Sequence, residues 1–184
     1  TLNGNEPTRT NALLYQAGSN INISRTTVVR AITVSKNKLT SEIATQTFFI
    51  NERNFNLPVV SIVTTPANLT NNLIGIYVQG TNGITGNGMD TPANWNMDWD
   101  RPANFEFFDK NKQQHINQEV DIAIAGGWTR KNGQKSLKIQ PKKKFGNNRL
   151  NYDFFEATKP GNKYKSILLR NSGNDFYYSM MRDA

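Results

Sequence analysis

The stretch NFEFFDKNKQQHINQEVDIAIAGG, from Asn104 to Gly127, decides the fold. Two alternating apolar segments, NFEFFD and EVDIAIAGG, flank the polar turn DKNKQQ, a pattern typical of a β-hairpin. The later segments SLKIQP and YKSILLRN have the same character, and the short basic turn PKKKFG follows the first of them. We therefore predict that this half of the chain is built on neighbouring β-strands.

Short β-branched or alternating runs also fill the N-terminal part of the chain, where Gly, Ser, Asn and Lys turns separate them about every ten residues. These runs are ALLYQAG, NINIS, TTVVRAITVS and ATQTFFI, and their spacing predicts a small β-sandwich. The opening TLNGNEPT has the pattern of a strand end entering an Asn-Gly turn. We therefore expect this sandwich to be incomplete at its N-terminus.

The polar connector from Asn51 to Pro58 is the predicted domain boundary, with a sandwich over residues 1–51 and a second domain over residues 57–184. In the second domain LPVVSIV and IGIYVQG predict strands, TPANLTNN predicts a helical turn, and TNGITGNGMDTPANWNMDWDRP is a long loop. FYYSMMRDA predicts the start of a helix capped by Ser179, and we expect the domain to continue beyond it. The predicted fold class is mainly β with some α.

Charge and the scarce residue types narrow the classes of function. The 184 residues carry a net charge of +8 with a pI near 9.8, which favours anionic partners; a solvated basic face is the alternative. The chain has no cysteine and a single histidine, His115, so disulfides, cysteine nucleophiles, histidine-based triads and multi-histidine zinc sites are excluded. No stretch approaches the roughly 20 apolar residues of a membrane span.

The segment GGWTRKNGQKSLKI is the predicted phosphate-binding element. Gly126 and Gly127 permit close backbone approach, Arg130 offers a planar fork of donors, and Lys135 places a point charge at the start of a strand. Lys138 is the rival for that lysine, because strand register decides which of the two faces a ligand. Neither a Walker motif nor the G-x-G-x-x-G of ordinary kinases is present. The alternative is a basic hairpin in which glycines ease a twist.

Two polar loops supply further candidates. Asn174 and Asp175 lie in RNSGND directly after a predicted strand, where ligand groups often occur, although Asp175 could instead initiate the following helix. Asp98 and Asp100 in NMDWDRP are a weak candidate pair for Mg²⁺ or Ca²⁺, with a solvated loop as the alternative. Nucleic-acid binding through PKKKFGNNRLNYDFF is not expected, because no recognised nucleic-acid motif accompanies the basic and aromatic residues.

Residues 1–50, roughly, resemble the small β-sandwich modules related to the chitobiase C-terminal domain and fibronectin type III. The matching phrases are the T-L-N-G-x-E-P-T turn, the L-Y-x-x-G step and the T-T-V-V-R-A strand. Such modules recur beside extracellular enzymes, so the resemblance implies contact with carbohydrate or a surface protein.

From Leu57 to Ala184 the chain resembles the spore-coat CotH-type kinase family. The matching phrases, in the family's order, are LPVVSIV, GIYV, RPANFEFFD, GGWTR with QKSLKI, FGNNRLNYDFF, YKSILLRNSGND and MRDA. The resemblance implies the β-rich N-terminal part of an atypical kinase-like α+β domain that transfers the γ-phosphate of ATP, with Mg²⁺, to Ser or Thr of an unknown protein substrate. It also implies a secreted, periplasmic or cell-surface location.

The same resemblance implies that the catalytic and metal-binding aspartates of the family lie beyond Ala184. We therefore expect this 184-residue chain to be inactive by itself as a kinase. The alternative function, from a different class, is a non-catalytic surface module that binds carbohydrate or protein.

Overall fold

The computed structural model describes residues 1–53, 56–86, 89–158 and 160–172, and these are mainly β-structure with little helix, which confirms the predicted fold class. The chain divides into two compact units. Unit 1 contains residues 1–65 and 104–117, and unit 2 contains residues 66–103 and 118–184. The predicted boundary between residues 51 and 57 stays a prediction.

The N-terminal part of unit 1 contains a two-stranded antiparallel sheet. Strand β1, Thr27–Ala31, pairs with strand β2, Ala44–Phe48, in a register that places Val29 opposite Gln46. Arg30 is buried in β1, and its Nη1 donates to the Gly4 carbonyl at 2.9 Å. This contact joins the opening turn of the chain to the sheet.

The strands predicted from ALLYQAG and NINIS are wrong, since residues 12–18 and 20–24 are turns and irregular backbone. The large apolar side chains of these runs remain largely exposed: Leu14 is 90% exposed and Leu13 is 72% exposed. An alternating pattern stabilises a strand only where one of its faces becomes buried, and here neither face does.

Strand β3, Val59–Val63, and the short helix α1, Ala67–Thr70, follow the connector as predicted. The strand predicted from IGIYVQG is wrong, because this segment folds back on α1. The Ile76 N–H donates to the Asn68 carbonyl at 2.9 Å, and the Tyr77 N–H donates to the Leu69 carbonyl at 3.0 Å. These amides are therefore not available for a β-ladder.

The segment predicted as a long loop contains regular structure. Strands β4, Ile84–Gly86, and β5, Met89–Ala93, form a small antiparallel sheet, and a 3₁₀ turn spans Asn94–Asn96. The loop prediction is therefore wrong for this part of the segment.

The main sheet is built on the predicted hairpin. Its strands are β6, Arg101–Phe108, β7, Gln114–Ala125, β8, Ser136–Gln140, and β9, Ile167–Leu169, and the strand order is β3-β6-β7-β8-β9. Asp109 fixes the turn between β6 and β7, because its Oδ1 accepts hydrogen bonds from the N–H groups of Asn111 and Gln113 at 2.8 and 2.9 Å. The sequence correctly predicted this hairpin and the two strands after it.

Each unit has its own buried apolar side chains, and in β6 both faces of the strand are buried from Ala103 to Phe108. In unit 1 the buried apolar side chains are Val63, Phe105, Phe107, Phe108 and Ile116, and in unit 2 Ile76, Ala93, Ala103, Val120, Ile122, Ile124, Ile139 and Leu150. In the described ranges, every helix is too short or too polar to cross a bilayer.

Candidate functional site

The connection between β7 and β8 begins with two glycines in unusual backbone conformations. Gly126 has a φ of +94°, and Gly127 has φ and ψ of −109° and −97°. The chain then forms a 3₁₀ turn over Trp128–Lys131 before Lys135 leads into β8. Because a left-handed φ is accessible mainly to glycine, Gly126 lets the strand turn sharply without strain. Gly126 therefore has a structural reason to be present.

Lys135 is the most deeply placed cation of the connection, with only 6% of its surface exposed. Its Nζ donates to the carbonyls of Arg130 and Asn132 at 2.6 and 2.8 Å. The Nζ also lies 4.0 Å from the centre of the Trp95 ring and 5.4 Å from that of Tyr77. In the described part of the chain, partial negative charges rather than a carboxylate thus surround this ammonium group.

Burial lowers the pKa of Lys135 from 10.5 to about 8. Removal of the ammonium group from water disfavours its charged form, and carbonyl and ring contacts compensate only in part. A lysine held in this way gains stability from any anion that reaches it. Buried lysines with lowered pKa values are frequent at ligand-binding and catalytic sites, although structural lysines also show them.

Arg130 is held by protein oxygens in the structure. Its Nε donates to the Gly126 carbonyl at 2.6 Å, Nη1 donates to the Trp95 carbonyl at 3.1 Å, and Nη2 lies 3.2 Å from Oδ1 of Asp98. These contacts fasten the connection to the segment around Trp95. A phosphate bound by Arg130 would therefore have to compete with the exposed carboxylate of Asp98.

The structure distinguishes the two rival lysines. Lys138 lies within β8 opposite Ala123 and Leu168 and is exposed, whereas Lys135 precedes the strand and is buried. Of the two, only Lys135 shares its surroundings with Arg130, whose carbonyl it contacts. The phosphate-binding role of Gly126, Gly127, Arg130 and Lys135 stays a prediction.

The aspartates proposed as weak metal ligands lie next to cations. Asp98 pairs with Arg130, and Asp100 accepts a hydrogen bond from Gln140 at 2.9 Å and lies 3.6 Å from Lys142 Nζ. Across residues 1–53, 56–86, 89–158 and 160–172, no three Asp, Glu, His or Cys side chains are grouped so that they could hold a metal ion.

The polar loop after β9 is partly described. Asn171 and Ser136 are both buried and joined by hydrogen bonds, and Asn171 Nδ2 also donates to the Gln134 carbonyl at 2.8 Å. This network connects the end of β9 to the residue that precedes Lys135. Asn174 and Asp175, the predicted cleft residues, lie outside the described residues, as does Ser179.

Sequence reasoning missed the residues that surround Lys135. Tyr77 accepts the Lys135 N–H through its hydroxyl at 2.8 Å, and Trp95 lies beneath the ammonium group. Asn94, which is fully buried beside Trp95, donates to the carbonyls of Asn72 and Gly75 and accepts from the Asn82 N–H. Tyr77 lies in the segment predicted as a strand and Trp95 in the predicted long loop, and neither prediction placed them beside Lys135. The abundance of asparagine in the loop was the one available signal for Asn94.

The comparison with known families identifies the N-terminal segment. Residues 1–48 match the family model described as Fn3 associated. A fibronectin type III-associated β module is therefore supported for this part of the chain, which we call the Fn3-associated segment. No curated protein and no solved structure matches the chain.

Proposed function

We propose that this chain is part of a secreted or surface protein kinase of the CotH type, in which the connection between β7 and β8 binds the phosphates of ATP. The ordered phrases from Leu57 to Ala184 that resemble this family support the proposal. The single observation that carries it is Lys135, a buried lysine with a lowered pKa at the start of a sheet strand.

The donors around Lys135 suit a phosphate. Two of the three N–H groups of the ammonium donate to the carbonyls of Arg130 and Asn132, and among the described residues no further oxygen accepts from it, so the third can serve a ligand. Arg130 supplies a planar fork beside it, provided that a ligand replaces Asp98. In this proposal Lys135 and Arg130 neutralise phosphate charge, and Gly126 and Gly127 let the backbone approach the ligand closely.

The described residues suit a magnesium ion less well than they suit a phosphate. Mg²⁺ prefers carboxylate and water oxygens, but Asp98 and Asp100 each have a cationic neighbour. We therefore derive no step through the metal from these residues. In the proposal, the aspartates that the family resemblance implies beyond Ala184 would hold it, and ATP with its metal would supply the phosphoryl group for transfer to a Ser or Thr hydroxyl.

The proposal is tested with the protein extended to its natural C-terminus, incubated with Mg²⁺ and ATP labelled in the γ-phosphate. We expect label on the protein itself or on a generic Ser/Thr substrate. The variant Lys135→Met should lower the rate by about 10²- to 10³-fold, because it removes a charge that stabilises the transferring phosphoryl group. Lys138→Met is the matched control and should keep most of the rate.

The outcomes separate the parts of the proposal. Transfer that survives in Lys135→Met but disappears in Lys138→Met would reject the choice of lysine and keep the kinase. A protein that folds, as judged by circular dichroism, but transfers no label to any substrate would reject the kinase. That result would favour the alternative, a non-catalytic module that binds carbohydrate or protein.

A further inference from the structure

Glu106 is a fully buried carboxylate of unit 1, and the proposed function does not use it. It lies in β6 opposite Ser61 of β3. Its Oε1 accepts hydrogen bonds from the Thr47 N–H and from Gln114 Nε2, both at 3.0 Å, and its Oε2 accepts one from the Thr47 hydroxyl. Both carboxylate oxygens are thus occupied by donors from other strands.

The donor residue Thr47 belongs to the Fn3-associated segment, whereas Glu106 lies 59 residues later in the chain. Thr47 is itself buried, and its hydroxyl also lies 2.7 Å from the Ser61 hydroxyl. One threonine of β2 therefore contacts both β3 and β6. These contacts are not part of the β1–β2 ladder, so they are additional to the segment's own pairing.

Further polar contacts join β2 to the β6–β7 hairpin. Asn117 Nδ2 donates to the Thr45 carbonyl at 2.9 Å, and Asn104 Nδ2 donates to Asn117 Oδ1 at 2.9 Å. Just after β2 and at the end of β6, the rings of Phe49 and Phe108 meet edge to face with their centres 5.2 Å apart. Glu106 is the charged residue in this set, and hydrogen bonds to a buried charge are stronger than those between neutral groups.

We infer that Glu106 couples the Fn3-associated segment to β3 and the β6–β7 hairpin, so that these elements fold as one cooperative unit. When Thr47 leaves Glu106, the buried carboxylate loses two of the three donors described above and keeps only Gln114 Nε2, so separate opening of β2 is costly and β2 and the hairpin open together. The segment is consequently an integral part of unit 1. This inference does not rest on the proposed function.

The inference is tested by amide hydrogen exchange on the whole 184-residue chain, comparing the wild type with Glu106→Leu. This variant removes both acceptor oxygens at similar volume. We expect the amides of β1 and β2 to exchange at least about tenfold faster, because the loss of a charged acceptor shifts local opening by about that factor or more. The amides of the β7–β8 ladder, such as Ile122 and Ile139, should keep their rates within about twofold.

Glu42→Leu is the matched control, since it makes the same change at an exposed glutamate of the same segment. It should leave β1 and β2 unchanged. Unchanged β1 and β2 rates in Glu106→Leu would overturn the inference, and so would an equal rise throughout the chain. If Glu106→Leu does not fold, Thr47→Val and Thr47→Ser decide the question. Thr47→Val should speed amide exchange in β1 and β2, whereas Thr47→Ser, which keeps the hydroxyl, should not. Equal exchange rates in the two variants would overturn the inference.

Discussion

Gly126 has a left-handed backbone that a side chain would strain. Its φ is +94°, and a Cβ at this position would lie 2.9 Å from Thr129 Oγ1. We expect Gly126→Ala to lower the free energy of unfolding by about 1–2 kcal/mol and the melting temperature by about 2–8 °C. Gly133→Ala is the control, because it has no such φ and no atom within 4 Å of the added Cβ. Equal melting temperatures for the two variants would contradict this assignment.

Lys135 should give stability a measurable pH dependence. Its pKa is about 8 in the folded chain against 10.5 for an ordinary lysine, so the unfolded chain binds more protons between these values. The stability of the wild type relative to Lys135→Met should therefore rise by about 1–3 kcal/mol as the pH increases from 8 to 10.5. Urea denaturation at several pH values measures this difference. Lys138→Met is the exposed control, and an equal pH dependence in both variants would argue against burial of Lys135 as the cause.

At the residue scale, the sequence indicated which residues could bind a ligand better than it indicated which residues contact them. Lys135 stood out because a lysine at the start of a strand, after a pair of glycines, is chemically suggestive. Its partners Tyr77 and Trp95 could not be predicted, since the backbone N–H of Lys135 reaches across 58 residues to the Tyr77 hydroxyl. Contacts at such distances depend on how the chain folds back, which no local pattern records.

At the element scale, strands were predictable where an alternating pattern finds a surface to cover. The segments that became β6, β7 and β8 bury apolar side chains, and β6 is buried on both faces from Ala103 to Phe108. ALLYQAG has a similar apolar content, but Leu13 and Leu14 remain exposed and no strand forms. The loop before β6 was mispredicted for another reason: Asn94, rather than a periodic apolar face, holds it in place.

Asn94 should therefore be essential to the element that it holds. Its side chain is fully buried, with its Nδ2 bound to the carbonyls of Asn72 and Gly75 and its Oδ1 accepting from the Asn82 N–H. Because Asn94→Ala would remove three hydrogen bonds and deprive the Gly75 carbonyl and the Asn82 N–H of their Asn94 partner, we expect a loss of about 2–4 kcal/mol in the free energy of unfolding. Asn96→Ala removes one bond, to the Ile84 carbonyl, at a more open position and should cost less than about 1 kcal/mol. Denaturant titration distinguishes the two, and a larger loss for Asn96→Ala would refute this role.

At the scale of the whole molecule, composition and pattern predicted the mainly β class, and the Fn3-associated part of the N-terminal resemblance is confirmed over residues 1–48. The compact units could not be read from the chain order. Unit 1 takes residues 104–117 from the middle of the sequence, because the tip of the β6–β7 hairpin packs with the N-terminal strands. A linear reading assigns neighbours in sequence to the same domain, and the long hairpin breaks that rule.

The bond between Thr47 and Glu106 also bears on how such chains can be rearranged in evolution. A genetic crossover in the polar connector between β2 and β3 would keep the whole Fn3-associated segment and still separate Thr47 from its carboxylate partner. A protein that receives the segment would need its own acceptor for Thr47. The protein that loses the segment would keep Glu106, a charged residue, in its interior. Shuffling at this junction should therefore be tolerated only between chains that carry both halves of the pair.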